Sequence, residues 1–138
     1  MSSDAYGSLI RRAYQDFEAG DLDRLRVVMD ENVVWHEPGR SPLAGDYRGV
    51  EGVLDLLKTL KDGSANTFRI EVLGVLSEPE RAVVFQRETA CLGDKVLDDL
   101  AVVDFEIHHQ KITEVSVYHE DLYQFDSFWA EASGSGRA

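Results

Sequence analysis

Apolar positions change their period along this chain, and the changes mark its elements. Tyr6, Leu9, Ile10, Ala13, Tyr14 and Phe17 recur at i, i+3, i+4 and i+7, the stripe of an amphipathic helix. Ser3 stands where its hydroxyl caps the first turn, and Gly20 where a left-handed residue ends the helix. Asp21 then caps a short second helix whose inner face is Leu22, Leu25, Val28 and Met29, so the Gly-Asp link predicts a tight helical hairpin. Asn32–Pro38 is β-branched and aromatic and predicts a strand, stopped by a proline that has no N–H for a ladder. Residues 39–49, rich in Gly, Pro and Ser, predict a loop with a short strand near Asp46-Tyr47-Arg48. Val50, Val53, Leu54, Leu57 and Leu60 return to helical spacing and predict a third helix from Val50 to Lys61, with Gly63 past its end.

Beyond that point the period is two. Phe68, Ile70 and Val72 alternate with Arg69 and Glu71. Ala82–Cys91 and Leu97–Ile107 predict two strands around a turn at Gly93-Asp94, and Ile112–His119 a last long strand after a turn at His108–Lys111. Asp121 opens a terminal segment with Leu122, Phe125 and Trp129, expected to make a helical turn or two. Residues 133–138 are small and polar and are expected to form a flexible tail, leaving one domain over 1–132. Helices come first and strands later, which places the chain in the α+β class, with about three helices packed on one face of a curved, mostly antiparallel sheet. The opposite face of such a sheet needs cover, and a second copy of the chain is the simplest cover, so a homodimer is expected.

Charge narrows the partners. A formal net charge of -12 speaks against nucleic acid and anionic membrane surfaces, both of which need a basic face. The N-terminal Met-Ser-Ser-Asp-Ala lacks the basic start and apolar core of a signal peptide, no apolar run approaches the roughly 20 residues of a membrane span, and the single cysteine, Cys91, has no partner for a disulfide. A cytoplasmic location is the expectation.

Three segments, Ala13-Tyr-Gln-Asp-Phe-Glu-Ala-Gly-Asp-Leu-Asp23, Val33-Val-Trp-His-Glu-Pro-Gly39 and Ala44-Gly-Asp-Tyr-Arg-Gly49, followed by alternating strands, resemble the SnoaL-like group of the nuclear transport factor 2-like superfamily. The resemblance implies a cone-shaped fold whose mouth lies between the first helices and the concave face of the sheet. It implies a small-molecule pocket there, and leaves the activity open, because the superfamily hosts isomerases, cyclases, epoxide hydrolases, dehydratases and non-catalytic binders.

Alternation sorts the first strand into Val33, Trp35 and Glu37 on one side and Val34 and His36 on the other. On ketosteroid isomerases, which this segment resembles, an acid before proline is the general base, and Glu37 holds that position. A carboxyl in an apolar pocket is disfavoured in its charged form, which raises its pKa toward a useful range for proton transfer. The competing reading is an exposed Glu at a strand end. The isomerase's tyrosine and protonated aspartate fall on Ala13 and Val103, with Tyr14 one residue off, so steroid isomerisation is disfavoured. Limonene-type epoxide hydrolases place Arg and Asp on one strand face, and the chain contains no Arg-x-Asp.

The last strand carries Val115, Val117, His119 and Asp121 on one parity. Asp121 resembles the acid/base residue of SnoaL-like polyketide cyclases, with His119 as a proton partner. Its competing role is to cap the terminal helix. Tyr14, Phe17, Trp35 and His36 are the expected substrate-binding wall, although His36 also suits a structural role at a dimer face. His108 and His109 fall in a turn, no metal-ligand spacing such as His-Glu-x-x-His occurs, and Cys91 has no recognisable base beside it. The sequence thus predicts cofactor-free and metal-free acid/base chemistry (isomerase, cyclase or dehydratase type) on a small, largely apolar molecule. A non-catalytic ligand-binding module and a structural dimer with a filled pocket are the rival readings.

Overall fold

The computed structural model describes residues 2–135. Four helices and six strands follow one another as α1 (Ser2–Ala19), α2 (Leu22–Val27), β1 (Met29–Glu37), β2 (Gly45–Arg48), α3 (Gly49–Asp62), β3 (Arg69–Glu78), β4 (Arg81–Leu92), β5 (Lys95–His108), β6 (Lys111–His119) and α4 (Leu122–Ser135). The strands form one sheet in the order β2-β1-β6-β5-β4-β3. Every pairing is antiparallel except β1 with β6. That parallel pair brings the end of the first strand beside the last one, with Trp35 opposite Val115.

Each helix forms because one stripe has a sheet to bury it. Ile10, Ala13 and Phe17 of α1 are buried over β3 and β4, Val53, Leu54, Leu56, Leu57 and Leu60 of α3 over β1 and β2, and Phe125, Phe128 and Trp129 of α4 against β5 and β6. The apolar core lies between these helices and the inner face of the sheet. Gly20 is in the left-handed region (φ 75°) and Asp21 caps α2 by accepting from the backbone N–H of Arg24. α1 begins at Ser2, one residue ahead of the expected cap Ser3.

α4 departs most from expectation. In place of a turn or two it runs for 14 residues, to Ser135, into the segment expected to be a tail; residues 136–138 lie outside the described residues. Its length follows from packing that local sequence does not show. The ring of Trp129 meets Phe128 edge-on at 5.1 Å, Phe125 at 6.1 Å and Phe68 at 6.2 Å. Among the described residues no helix is long and apolar enough to cross a membrane.

Candidate functional site

Inward parity on β1, β4, β5 and β6 decides which polar side chains enter the core. On β1 the buried positions include Met29, Val33 and Glu37, with Trp35 partly buried on the same side. Glu37 is 6% exposed, and its Oε1 accepts the indole N–H of Trp35 at 2.8 Å. On β4, Gln86 and Glu88 occupy the inward parity shared with Ala82, Val84 and Ala90; on β5, Asp99 shares it with Leu97, Ala101 and Val103. Glu88 and Asp99 stand directly opposite each other across the β4–β5 ladder.

His119 closes the cluster from β6. Its side chain is 1% exposed and stacks on Phe125 with ring centroids 4.0 Å apart. Nδ1 lies 3.0 Å from Asp99 Oδ2, while Asp99 Oδ1 accepts the backbone N–H of Asp121 at 3.1 Å. An acceptor-only carboxylate beside Nδ1 assigns the proton to that nitrogen, which leaves the lone pair on Nε2. Nε2 has no hydrogen-bond partner and lies 4.0 Å from Glu37 Oε2; on the other side, Nδ1 is 4.0 Å from Glu88 Oε1, which is also buried and unpartnered. A chain of hydrogen bonds anchors Glu88 from the far side. The Tyr14 hydroxyl donates to Gln86 Oε1 at 2.5 Å, and Gln86 Nε2 donates to Glu88 Oε2 at 2.7 Å.

These groups bound one side of a cavity of about 80 Å³. That is several times the roughly 10–15 Å³ one water requires. Glu37, Glu88, Gln86 and Tyr14 supply its polar edge, and the rest is apolar, including Trp35, Phe17, Phe68, Phe105 and Phe125. Burial therefore dominates the electrostatics. It raises Glu37 to about 7, against the indole hydrogen bond and with the negative charge of Asp126 adding to the rise. It raises Glu88 to about 8, opposed by the Gln86 hydrogen bond and reinforced by Glu37 and Asp99. Burial, and then the charge of Glu88, pushes Tyr14 well above its ordinary 10, so the phenol stays a donor. His119 is held below its ordinary value because burial outweighs the pull of Asp99, and it is neutral near pH 7.

The sequence-derived candidates separate into two groups. Tyr14, Phe17, Trp35 and Glu37 line the cavity, with His119 directly behind Glu37. Asp121 and His36 lie elsewhere. Asp121 Oδ1 accepts the backbone N–H of Gln124 at 3.0 Å and caps α4, and its own N–H is tied to Asp99. His36 sits on the outer face of the sheet between Asp46 (2.7 Å) and Glu114 (2.6 Å), where both carboxylates raise its pKa. Gln86, Glu88 and Asp99 are the residues that sequence reasoning missed. A signal for them exists: each is a polar residue on the apolar parity of a strand.

Comparison with known proteins agrees with this architecture. An uncharacterized protein of Mycobacterium tuberculosis is 31% identical over 131 residues, which cover 94% of this chain and 100% of that protein. The structure of Bal32a, from a soil-derived mobile gene cassette, superposes with a TM-score of 0.90 at 32% identity, over 94% of this chain and 99% of that one. The structure of TerC co-crystallized with polyporic acid shares the fold at a TM-score of 0.78 and 19% identity, over 90% of this chain and 97% of its own. Residues 10–115 match the family model of the SnoaL-like domain, and with an apolar cavity between α1, α3 and the concave sheet the chain belongs to the SnoaL-like family.

Proposed function

We propose that the protein carries out cofactor-free acid/base chemistry on a small, largely apolar carbonyl compound, with Glu37 as the base. The observation that carries this reading is the pairing of two carboxyls, Glu37 and Glu88, on the edge of one apolar cavity, one at about 7 and the other at about 8. When the two share one proton, Glu88 is the one that keeps it and Glu37 the one that is ionised. Neutral Glu88, fixed through Oε2 by Gln86, has its unpartnered Oε1 free to carry the proton and donate to a substrate carbonyl oxygen. Glu37 removes a proton from the carbon next to that carbonyl. The hydrogen bond from Glu88 strengthens as charge develops on the oxygen, which lowers the barrier. Returning the proton to another carbon gives isomerisation, and the same enolate opens the way to cyclisation or dehydration.

His119 has a positioning role in this scheme. Its Nε2 lies 4.0 Å from Glu37 Oε2, and Asp99 fixes the ring orientation. Tyr14 acts through Gln86. The SnoaL-like fold the chain shares with TerC, which was co-crystallized with polyporic acid, supports a small organic molecule as the substrate.

The test is carbon-acid exchange in D2O, followed by NMR, across small apolar enones, ketones and lactones. Wild-type protein is expected to label the position next to the carbonyl of at least one member, and Glu37→Gln to lose that activity by a factor of roughly 10² or more. Equal exchange by both proteins removes Glu37 from the mechanism. Binding with no exchange by the wild type across the panel favours a ligand-sequestering module.

The assembly proposed with this reading is a homodimer. Leu76, Phe85, Leu100 and Tyr118 are 64, 40, 43 and 58% exposed on the outer sheet face, beside the ion pairs of Arg81 with Asp104 and Arg87 with Asp98. Sedimentation equilibrium at micromolar concentration checks it, and a monomer there refutes it.

A further inference from the structure

A second hollow, of about 490 Å³, adjoins the cavity at the side of α1 and β3. Tyr14, Phe17, Phe68 and Ile70 belong to the walls of both, so the two spaces share one aromatic partition. Their polarity is opposite. The inner cavity has carboxyls at its edge, whereas the outer hollow is ringed by Arg11, Lys61 and Arg69, with Glu18 the only acid in its wall.

Three cations in one hollow stand out on a chain with 14 Lys and Arg against 26 Asp and Glu. Arg24, Arg26, Arg48, Arg81 and Arg87 each pair with a carboxylate. Arg11, Lys61 and Arg69 make no ion pair among the described residues. Two of them are nevertheless held in place by neutral groups. Lys61 Nζ donates to the Glu18 carbonyl at 3.1 Å and lies 4.8 Å over the Phe17 ring. One guanidinium nitrogen of Arg69 donates to the carbonyls of Asn66 (2.9 Å) and Phe68 (3.0 Å). Carbonyls and a π face orient a cation without neutralising it, so its charge stays available to a ligand. The net charge of -12 repels anions overall, and a local ring of three cations without acid partners among the described residues offers an anionic group a place to dock.

We propose that this hollow holds the carboxylate of an organic acid whose apolar body passes the Tyr14–Phe68 partition into the inner cavity. The inference rests on the acid/base reading for what happens to the body of the ligand, and deepens it by naming the ligand class. It explains a division of labour: cations outside select and orient the acid, and the Glu37 carboxylate inside tolerates only its uncharged end. A free carboxylate driven inward meets the negative charge of Glu37, so orientation is enforced by repulsion as well as attraction.

The experiment compares 3-phenylpropionate, 4-phenylbutyrate and 6-phenylhexanoate with their primary amides, by calorimetry and by Trp35-sensitive fluorescence. At low salt the best acid is expected to bind about tenfold tighter than its amide, as one charge-assisted contact of about 1.4 kcal/mol gives. Arg11→Gln with Arg69→Gln should reduce that preference to within about twofold and leave amide affinity unchanged, and added salt should act in the same direction. Amides binding as tightly as acids, an undiminished preference in the double variant, or no binding by any acid each overturns the proposal. Glu37→Gln separates the two readings, because it should keep the acid preference while losing deuterium exchange. Acid preference in a protein that never exchanges leaves the docking site standing and removes the chemistry.

Discussion

Replacing Glu88 by Gln tests the electrostatic design without needing a substrate. Gln has the shape of the neutral carboxyl and keeps an oxygen to accept from Gln86 Nε2, but it has no charged form. In the native protein Glu88 holds its proton to about 8, whereas a carboxyl in an unfolded chain releases it near 4.5. The sign follows directly. Between those two values the unfolded state has lost the proton and the native state has kept it, so wild-type stability falls as pH rises, and levels off above about 8. The difference from 4.5 to about 8 corresponds to about 5 kcal/mol at about 1.4 kcal/mol per pH unit, a large share of a typical domain's 5–15 kcal/mol. Glu88→Gln removes this penalty. One amide N–H will lack an acceptor, which takes about 1–2 kcal/mol from the variant at every pH and leaves the pH dependence untouched. Urea unfolding at pH 5 and pH 8.5 reads the result: the variant should gain on the wild type by about 3–5 kcal/mol between the two conditions. A stability difference that does not change with pH refutes the claim that Glu88 is folded as the neutral acid.

Four further outcomes follow from the same geometry. If Glu37 must be ionised and Glu88 protonated, turnover should be bell-shaped, rising through about 7 and falling through about 8, and initial rates from pH 5.5 to 9.5 check this. Asp121→Ala should cost about 1 kcal/mol of stability through the lost α4 cap, while Asp121→Asn, which can still cap, should keep both stability and turnover; thermal melts and rates test the pair. Phe125→Ala, which removes the ring stacked on His119, should cost about 3–5 kcal/mol in denaturant unfolding. Gly39→Ala should lose about 1–3 kcal/mol, because Gly39 has φ 102° and a Cβ there meets the Asp126 carboxylate that accepts from Arg40 and Ser41; an unchanged melting curve contradicts this.

The candidate site was legible in the sequence where a signal is local. Period two placed Trp35 and Glu37 together, because residues two apart on a strand share a face whatever lies opposite. Asp21 and Asp121 sit at helix starts, and capping involves only the next three residues. The Glu88–Asp99 opposition was within reach as well. The Gly93-Asp94 turn joins Leu92 to Lys95, and counting outward from that pair leads to Glu88 and Asp99.

Tertiary structure decided the rest, since it depends on registers and distances that no local pattern carries. Extending the His108–Lys111 pairing unchanged sets His119 opposite the outward-facing Leu100; a bulge between Glu106 and Ile107 shifts it to Ala101, and so into the cluster. Tyr14 meets Gln86 across 72 residues of sequence, and Lys61 meets Phe17 only because α1 and α3 border the same mouth. A carboxyl's charge state is likewise a property of the assembled interior. The amino-acid sequence named Glu37 as an acid beside a tryptophan, and only the surrounding apolar walls, supplied by four strands and four helices, raise its pKa to about 7.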